Sequence, residues 1–268
     1  MTRTSEAPEA RIDAIMNKAS RALVERRYFD AERLSVEALE AAHALRDYER
    51  MARICLPLQE ARRQKRDLAA DAGDVFVIEG ELPKPGKIRA GCYLVRPPRV
   101  GLDGRMLREM CDAREAPAIV LVREPTTRSG TWPVVALGPV TIRAYVPPPA
   151  ARAERRRGSK RSAGVSAVGA AGTAEPVPDV AWFLAASEAL GDAALASLDP
   201  GRAALSRIDD ILARLQTHPN HEKLHQALIA ACETAARLPE RERRVDPRVE
   251  AGGAIDPLDS ADDEMESM

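Results

Sequence analysis

The sequence is poor in aromatic side chains, which make up only 3% of its 268 residues. A hydrophobic core must therefore be built mainly from alanine, leucine, valine and isoleucine. Small side chains allow helices to approach one another closely, as helical hairpins require. The shortage of aromatic residues thus favours a helix-rich protein.

Paired cysteines and long apolar runs are also missing. The four cysteines lie far apart and form no CxxC pair: Cys55, Cys92, Cys111 and Cys232. No apolar run approaches the roughly 20 residues that a membrane-spanning helix needs, and the first residues lack the apolar core of a signal peptide. These absences predict a cytoplasmic protein with reduced thiols and no membrane partner.

An excess of one charge is absent as well, since 40 basic residues stand against 41 acidic ones. This balance gives no general attraction to nucleic acids or anionic membranes. The arginine-rich run 155–161 could contact phosphates, but it has no interleaved aromatic residues for base stacking. We interpret it as part of a disordered basic linker, residues 148–178. Residues 239–268 are predicted to be a disordered acidic tail.

Helical periodicity occupies two blocks, residues 8–72 and 179–238. In both, apolar side chains recur three or four positions apart, which is typical of helices with one buried face. Each block is predicted to hold three helices. In the later block, the second helix is expected to begin at Asp199 with Pro200 in its first turn.

The middle of the chain, residues 74–147, is typical of a small α/β domain with four or five strands. Short apolar runs alternate with turns, and one helical segment lies at 103–114 with Asp103 as its expected N-cap. Strand, helix and strand between about 92 and 122 form a βαβ-like unit. The chain is therefore predicted to be a multi-part α+β protein: an N-terminal helical hairpin block, this domain and a C-terminal three-helix block.

One N-terminal hairpin resembles a tetratricopeptide repeat. The run 28–31 (YFDA) is similar to the family's aromatic turn followed by a small residue, and the pair 38–39 (AL) matches a small-plus-leucine pair in its second helix. A similar turn signature at Tyr48 comes 20 residues after Tyr28, whereas the family period is about 34. The resemblance covers about residues 11–70.

The resemblance implies a protein–protein interaction role, because such hairpins present a concave surface to a partner. Tyr28 and Tyr48 are the partner-binding residues that it suggests. Ser35 and His43 stand where the family usually has an aromatic residue and a proline. An ordinary alanine-rich helical hairpin is the alternative interpretation.

The run 221–225 (HEKLH) matches the HExxH pattern of zinc metalloproteases. Two histidines four positions apart lie on one helix face and could share a zinc ion, while the glutamate would activate water. However, Lys223 places a charge inside the motif, and no third histidine follows. We interpret the run as the start of an ordinary helix, and predict no catalytic residue, metal or cofactor.

Arginines follow the middle strands of the predicted sheet. Arg96 follows one strand, and Arg123 and Arg128 follow the next. Ligands of open α/β sheets usually bind at the carboxyl ends of the strands, so these arginines could hold an anion. Surface loop arginines are the alternative, because no glycine-rich phosphate loop follows any strand.

The leading functional hypothesis is a non-catalytic adaptor that uses its helical hairpins to bind a protein partner. The alternative is a small α/β regulatory or anion-binding module that uses the three arginines. A zinc metalloprotease built on residues 221–225 ranks third. A nucleic-acid partner is not favoured.

Overall fold

The structure, a computed structural model, describes residues 7–150 and 176–243. The arginine-rich run 155–161 lies outside these ranges, as do most of the predicted basic linker and acidic tail. Within the described ranges, no helix is both long enough and apolar enough to cross a membrane.

The N-terminal block consists of the three predicted helices, α1 (Pro8–Val24), α2 (Tyr28–Ala44) and α3 (Tyr48–Asp71). Helix α1 packs against α2, and α2 packs against α3. Alanines fill these contacts and are fully buried: Ala19, Ala22, Ala31, Ala38, Ala42 and Ala61. Helix α3 continues through Pro57. The small side chains let the helices pack closely, as the composition predicts.

The two turns between these helices have the same backbone geometry. Each contains an arginine in the left-handed conformation, Arg26 with φ 60° and Arg46 with φ 54°. In both turns, the amide of the next residue donates to the carbonyl five positions back, at 2.8 and 2.9 Å. These bonds are typical of a Schellman motif, which usually has glycine at the left-handed position. The 20-residue spacing of Tyr28 and Tyr48 is therefore one helix plus one such turn.

The middle of the chain forms a five-stranded mixed sheet. Its strands follow one another across the sheet in chain order: β1 (Val75–Ile78), β2 (Gly91–Val95), β3 (Ala118–Arg123), β4 (Trp132–Leu137) and β5 (Thr141–Val146). Strands β1, β2 and β3 are parallel, whereas β4 and β5 are added antiparallel. A short 3-10 helix, Pro85–Lys87, lies between β1 and β2. Four or five strands were predicted, and the structure has five in this sheet.

Helix α4 (Gly101–Ala113) connects β2 to β3 and confirms the predicted βαβ unit. The prediction that Asp103 is its N-cap is wrong, because the helix begins two residues earlier. Asp103 is instead the third helical residue, and its carboxylate accepts a hydrogen bond from the Val100 amide at 2.8 Å. Gly104 lets α4 lie close to the sheet, since a Cβ there would be 2.1 Å from Val122 Cγ2.

The C-terminal helices are α5 (Val180–Ala196), α6 (Ala204–Thr217), α7 (Glu222–Ala236) and the short α8 (Glu240–Arg243). Helix α5 begins after its N-cap Asp179, which is the first residue of the predicted helical block 179–238. Helix α6 begins at Ala204, so the predicted start at Asp199 is wrong. Asp199 instead forms a turn in which its carboxylate accepts from the Gly201 amide at 2.8 Å. Helix α8 occupies the start of the predicted polar tail.

One hydrophobic core joins both helical blocks to one face of the sheet. Helix α3 packs against α7, and α3 and α5 both lie against the sheet. Helix α4 covers the opposite face, around Tyr93, Leu107 and Val122. The predicted α+β class is confirmed. Charged side chains on α3, α5 and α7 are brought close together by this packing, which sequence periodicity does not predict.

Candidate functional site

Arg96 and Arg123 come together at the carboxyl ends of β2 and β3. These strands are parallel neighbours, with Val95 paired to Val122, so the two arginines lie at the same edge of the sheet. Both are buried, with 6% and 5% of their surface exposed. Both guanidinium groups lie over the Trp132 ring, with Cζ 5.7 and 4.4 Å from its centroid. The structure therefore brings two of the three predicted anion-binding arginines together.

A cavity of about 420 Å³ opens beside these arginines and is lined by Glu79, Arg96, Pro97, Arg123, Pro125 and Thr126. Its volume lies within the range of about 300–1,000 Å³ that is usual for small-molecule sites. Arg96 donates to Glu79 Oε1 at 3.1 Å and to the Pro176 carbonyl at 3.0 Å. Arg123 donates to Thr126 Oγ1 at 3.0 Å. These contacts fix the positions of the two guanidinium groups.

Arg128, the third predicted arginine, is exposed in the β3–β4 loop and does not line the cavity. Within that loop, the Thr127 amide donates to the Thr131 carbonyl at 3.0 Å and closes a turn. Arg128 lies in this turn. Trp132, which no motif predicted, is the first residue of β4. Its place beside Arg123 depends on the antiparallel pairing of β3 with β4.

The two histidines of the HEKLH run have different surroundings. His225 is buried, with Nδ1 3.0 Å from the His221 carbonyl oxygen and Nε2 3.2 Å from Arg62 Nη1. Because a carbonyl only accepts and a guanidinium only donates, Nδ1 carries the proton and Nε2 accepts. Burial, reinforced by the Arg62 charge, lowers the pKa of His225 to about 3. Both of its ring nitrogens are engaged, so this arrangement does not favour a zinc ion shared with His221.

Arg62 belongs to a buried polar network between α2, α3 and α7. Its Nε donates to Glu32 Oε1 at 2.7 Å, and Lys65 donates to the other Glu32 oxygen at 2.6 Å. Lys65 also donates to Asp112 of α4 at 2.6 Å. Burial acts to raise the pKa of Glu32, but the two cations outweigh it and lower that pKa to about 2. The network is a structural connection between four helices.

His221 is the N-cap of α7 and lies against Gly191 of α5. A Cβ at Gly191 would be 2.1 Å from His221 Cγ, so the glycine provides the space for the imidazole. His221 Nε2 lies 3.2 Å from Asp192 Oδ1 and 3.5 Å from Glu188 Oε1. The HEKLH run thus places one histidine in a structural network and the other beside two carboxylates.

The two tyrosines suggested for partner binding are the first residues of α2 and α3. Tyr48 is buried in the core, whereas Tyr28 is half-buried. A partner could therefore reach Tyr28 without a rearrangement of the helices, but it could not reach Tyr48 in this way.

A groove of about 200 Å³ lies between α2 and α6, with α3 as its floor. Its lining is mainly aliphatic: Val36, Leu39, Glu40, His43, Leu58, Arg62, Leu212, Leu215 and Gln216. His43 Nε2 lies 2.9 Å from Asp209 Oδ1 and connects α2 to α6. This groove is a concave surface of the helical block.

No protein-family model, curated protein or solved structure matches this chain. The likeness to a tetratricopeptide repeat therefore depends on the residues of the N-terminal hairpin alone. Function has to be argued from the geometry of the sites.

Proposed function

We propose that this protein is a non-catalytic binding module for a small oxyanion, a carboxylate or a phosphate, held by Arg96 and Arg123. The observation that supports this proposal is the convergence of two buried guanidinium groups over Trp132, beside an open cavity of about 420 Å³. The sequence points to the same two residues independently, because each lies at the carboxyl end of a parallel strand.

The chemistry of the cavity suits an oxyanion. The planar guanidinium presents N–H donors in a fork that matches two oxygens of a carboxylate or phosphate. An oxyanion in this cavity would be attracted by both positive charges. The Trp132 ring attracts both cations through its π-face, whereas an oxyanion would accept hydrogen bonds from their N–H groups. Thr126 adds a hydroxyl group at the rim.

The same lining gives little support to catalysis. Among the described residues that line this cavity, none is a histidine, cysteine or lysine. These side chains most often supply nucleophiles or general bases near neutral pH. Recognition without turnover is therefore the function that this cavity supports best.

Thermal unfolding with added inorganic phosphate or malonate tests the proposal. The midpoint for the wild-type protein should rise with anion concentration, equivalent to about 2.7 kcal/mol at about 100 times Kd. Arg123→Gln should abolish the rise. Arg123→Lys, which keeps the charge without the fork, should keep a weaker response. Arg128→Gln is the matched control and should respond like the wild type.

Direct binding can be followed by the fluorescence of Trp132. A Trp182→Phe background is needed because the two tryptophan rings are neighbours, with centroids 5.7 Å apart, and both would contribute to the signal. Saturable quenching that requires Arg123 would support an anion at this cavity. A folded wild-type protein that responds to neither anion, or an Arg123→Gln protein that responds equally, would overturn the proposal.

A second candidate function, binding of a partner helix, is favoured by the groove between α2 and α6. Its aliphatic lining suits one apolar anchor residue, and Glu40 and Asp209 at its margin favour a basic residue beside that anchor. A displayed library of helical peptides would test this function. Peptides that bind the wild-type protein would be kept, and those that also bind Leu212→Glu would be removed. Leu56→Glu is the control, because Leu56 is exposed on α3 and does not line the groove. Peptides that do not distinguish Leu212→Glu from Leu56→Glu would exclude the groove.

A further inference from the structure

Three potential metal ligands meet where α5 faces the start of α7. Glu188 and Asp192 are four residues apart on α5, so their carboxylates lie on the same helix face. His221 approaches them from the N-cap of α7. One donor atom from each of the three side chains lies within 4.8 Å of the other two.

The spacing of these atoms fits a transition-metal ion. Zinc binds nitrogen and carboxylate oxygen at about 2.0–2.2 Å, which separates two ligands of a tetrahedral ion by about 3.4 Å. His221 Nε2 lies 3.2 Å from Asp192 Oδ1 and 3.5 Å from Glu188 Oε1. Small side-chain adjustments would therefore be enough to admit the ion.

His221 itself provides an independent indication of a ligand. Its side chain is only 1% exposed, and neither ring nitrogen makes a hydrogen bond of normal geometry to any described residue. A buried polar atom without a hydrogen bond is destabilising, so such atoms are rare unless a ligand or another role explains them. Gly191 holds the ring against α5, which directs Nε2 toward the two carboxylates. A metal ion bound to Nε2 would give that atom the well-oriented bond that its contacts with the two carboxylates do not provide.

Lys223 now neutralises the two carboxylates. Its Nζ lies 2.7 Å from Asp192 Oδ1 and 2.9 Å from Glu188 Oε1. The side chain is 49% exposed, so it can move into solvent when another cation takes its place. A cavity of about 310 Å³, lined in part by His221 and Glu188, provides room for a water molecule as a further ligand.

We infer that Glu188, Asp192 and His221 form a binding site for a divalent cation of the zinc class, and that Lys223 competes with the metal for the carboxylates. This site differs from the HExxH arrangement, because it uses His221 without His225. It is also independent of the arginine cavity at the sheet edge.

Competition with a chromophoric chelator tests this inference on the full-length protein with Zn²⁺ at pH 7. Asp192→Asn should weaken binding by at least about tenfold. Lys223→Ala should strengthen it by at least about tenfold, because the ammonium group no longer competes with the metal for the two carboxylates. If Glu188, Asp192 and His221 had only a structural role, Lys223→Ala would not be expected to bind zinc more tightly. Co²⁺ should give the visible absorption of a tetrahedral site in the wild type.

Three variants provide the controls. Asp67→Asn removes a carboxylate that lines the same cavity without belonging to the ligand group, and should leave the Kd unchanged. His43→Ala removes an exposed histidine–carboxylate pair and should also have no effect. His225→Gln should leave the affinity within about threefold, whereas an HExxH site would lose its metal. Equal affinity in wild type, Asp192→Asn and Lys223→Ala would overturn the inference.

Discussion

The buried arginines of the helical core and those of the sheet edge differ in what neutralises them. Arg62 is neutralised by the largely buried carboxylate of Glu32 and also donates to the neutral imidazole of His225; both residues come from packed helices. Arg96 contacts Glu79, whose side chain is 61% exposed, and a backbone carbonyl. Charge in the helical core is thus balanced by fixed internal groups. At the sheet edge, one balancing group is exposed to solvent, so an added anion could compete with it for Arg96.

This difference follows from the elements that carry the arginines. A helix fixes its side chains along a rigid surface, so partners on neighbouring helices are in place once the helices pack. A strand end leads into a loop, and loops offer both exposure and adjustable contacts. The comparison predicts that changes in the core network affect folding, whereas changes at the cavity mainly affect ligand binding.

The largest effect is expected from Glu32→Gln. Removing this carboxylate leaves Arg62 and Lys65 without their shared anion, and breaking a buried ion pair typically costs about 3–5 kcal/mol. Urea unfolding should show this loss in the free energy of unfolding. Glu37→Gln, an exposed position on the same helix, should change it by less than about 0.5 kcal/mol. If the two variants were equally stable, the core network would not be structural.

Acid should destabilise the core through His225. Its pKa is lowered to about 3 in the folded protein, whereas an unfolded histidine has a pKa of about 6.5. Between these values the unfolded state binds the extra proton, so stability falls as pH falls from about 6.5 toward 3, by up to about 1.4 kcal/mol per pH unit.

Chemical denaturation across this pH range measures the effect. His225→Gln should reduce the slope of stability against pH by about 1.4 kcal/mol per unit between pH 6 and 4. His43→Gln, which removes a partly exposed imidazole, should change the slope less. An unchanged slope in His225→Gln would show that His225 does not remain neutral in the folded protein.

Local sequence patterns were enough to predict most of the elements and part of the arginine site. Helical periodicity identified α1 to α3 and α5 to α7, and the strand–helix–strand order identified the parallel β2–β3 pair. Because parallel neighbours end at the same edge, the convergence of Arg96 and Arg123 could be expected from chain order alone. The resemblance to a tetratricopeptide repeat remains a prediction.

Contacts between distant parts of the chain could not be predicted in this way. Arg62 and His225 are 163 positions apart, and only the packing of α3 against α7 brings them together. Trp132 lies beside the arginines because β4 pairs antiparallel with β3. His221 packs against α5 because Gly191 leaves space for its ring, and that role cannot be recognised until the two helices are known to be neighbours. The turn at Arg26 also lacked its usual signal, because no glycine marks the left-handed residue. Periodicity records which face of an element is buried, but not which element covers it.

The smallest change in stability, and the sharpest test of the comparison, is expected from Glu79→Gln. Because the Glu79 side chain is largely exposed and Arg96 keeps its hydrogen bond to the Pro176 carbonyl, the free energy of unfolding should change by about 1 kcal/mol or less. If Glu79 is the movable group, its carboxylate competes with an added anion for Arg96. The variant should therefore show a larger phosphate-dependent rise in melting temperature than the wild type. Glu124→Gln, which removes a similar surface pair with Arg143 outside the cavity, is the matched control. A smaller phosphate response in Glu79→Gln than in Glu124→Gln would mean that Glu79 supports the anion site, and that the charge at the sheet edge is as fixed as that of the helical core.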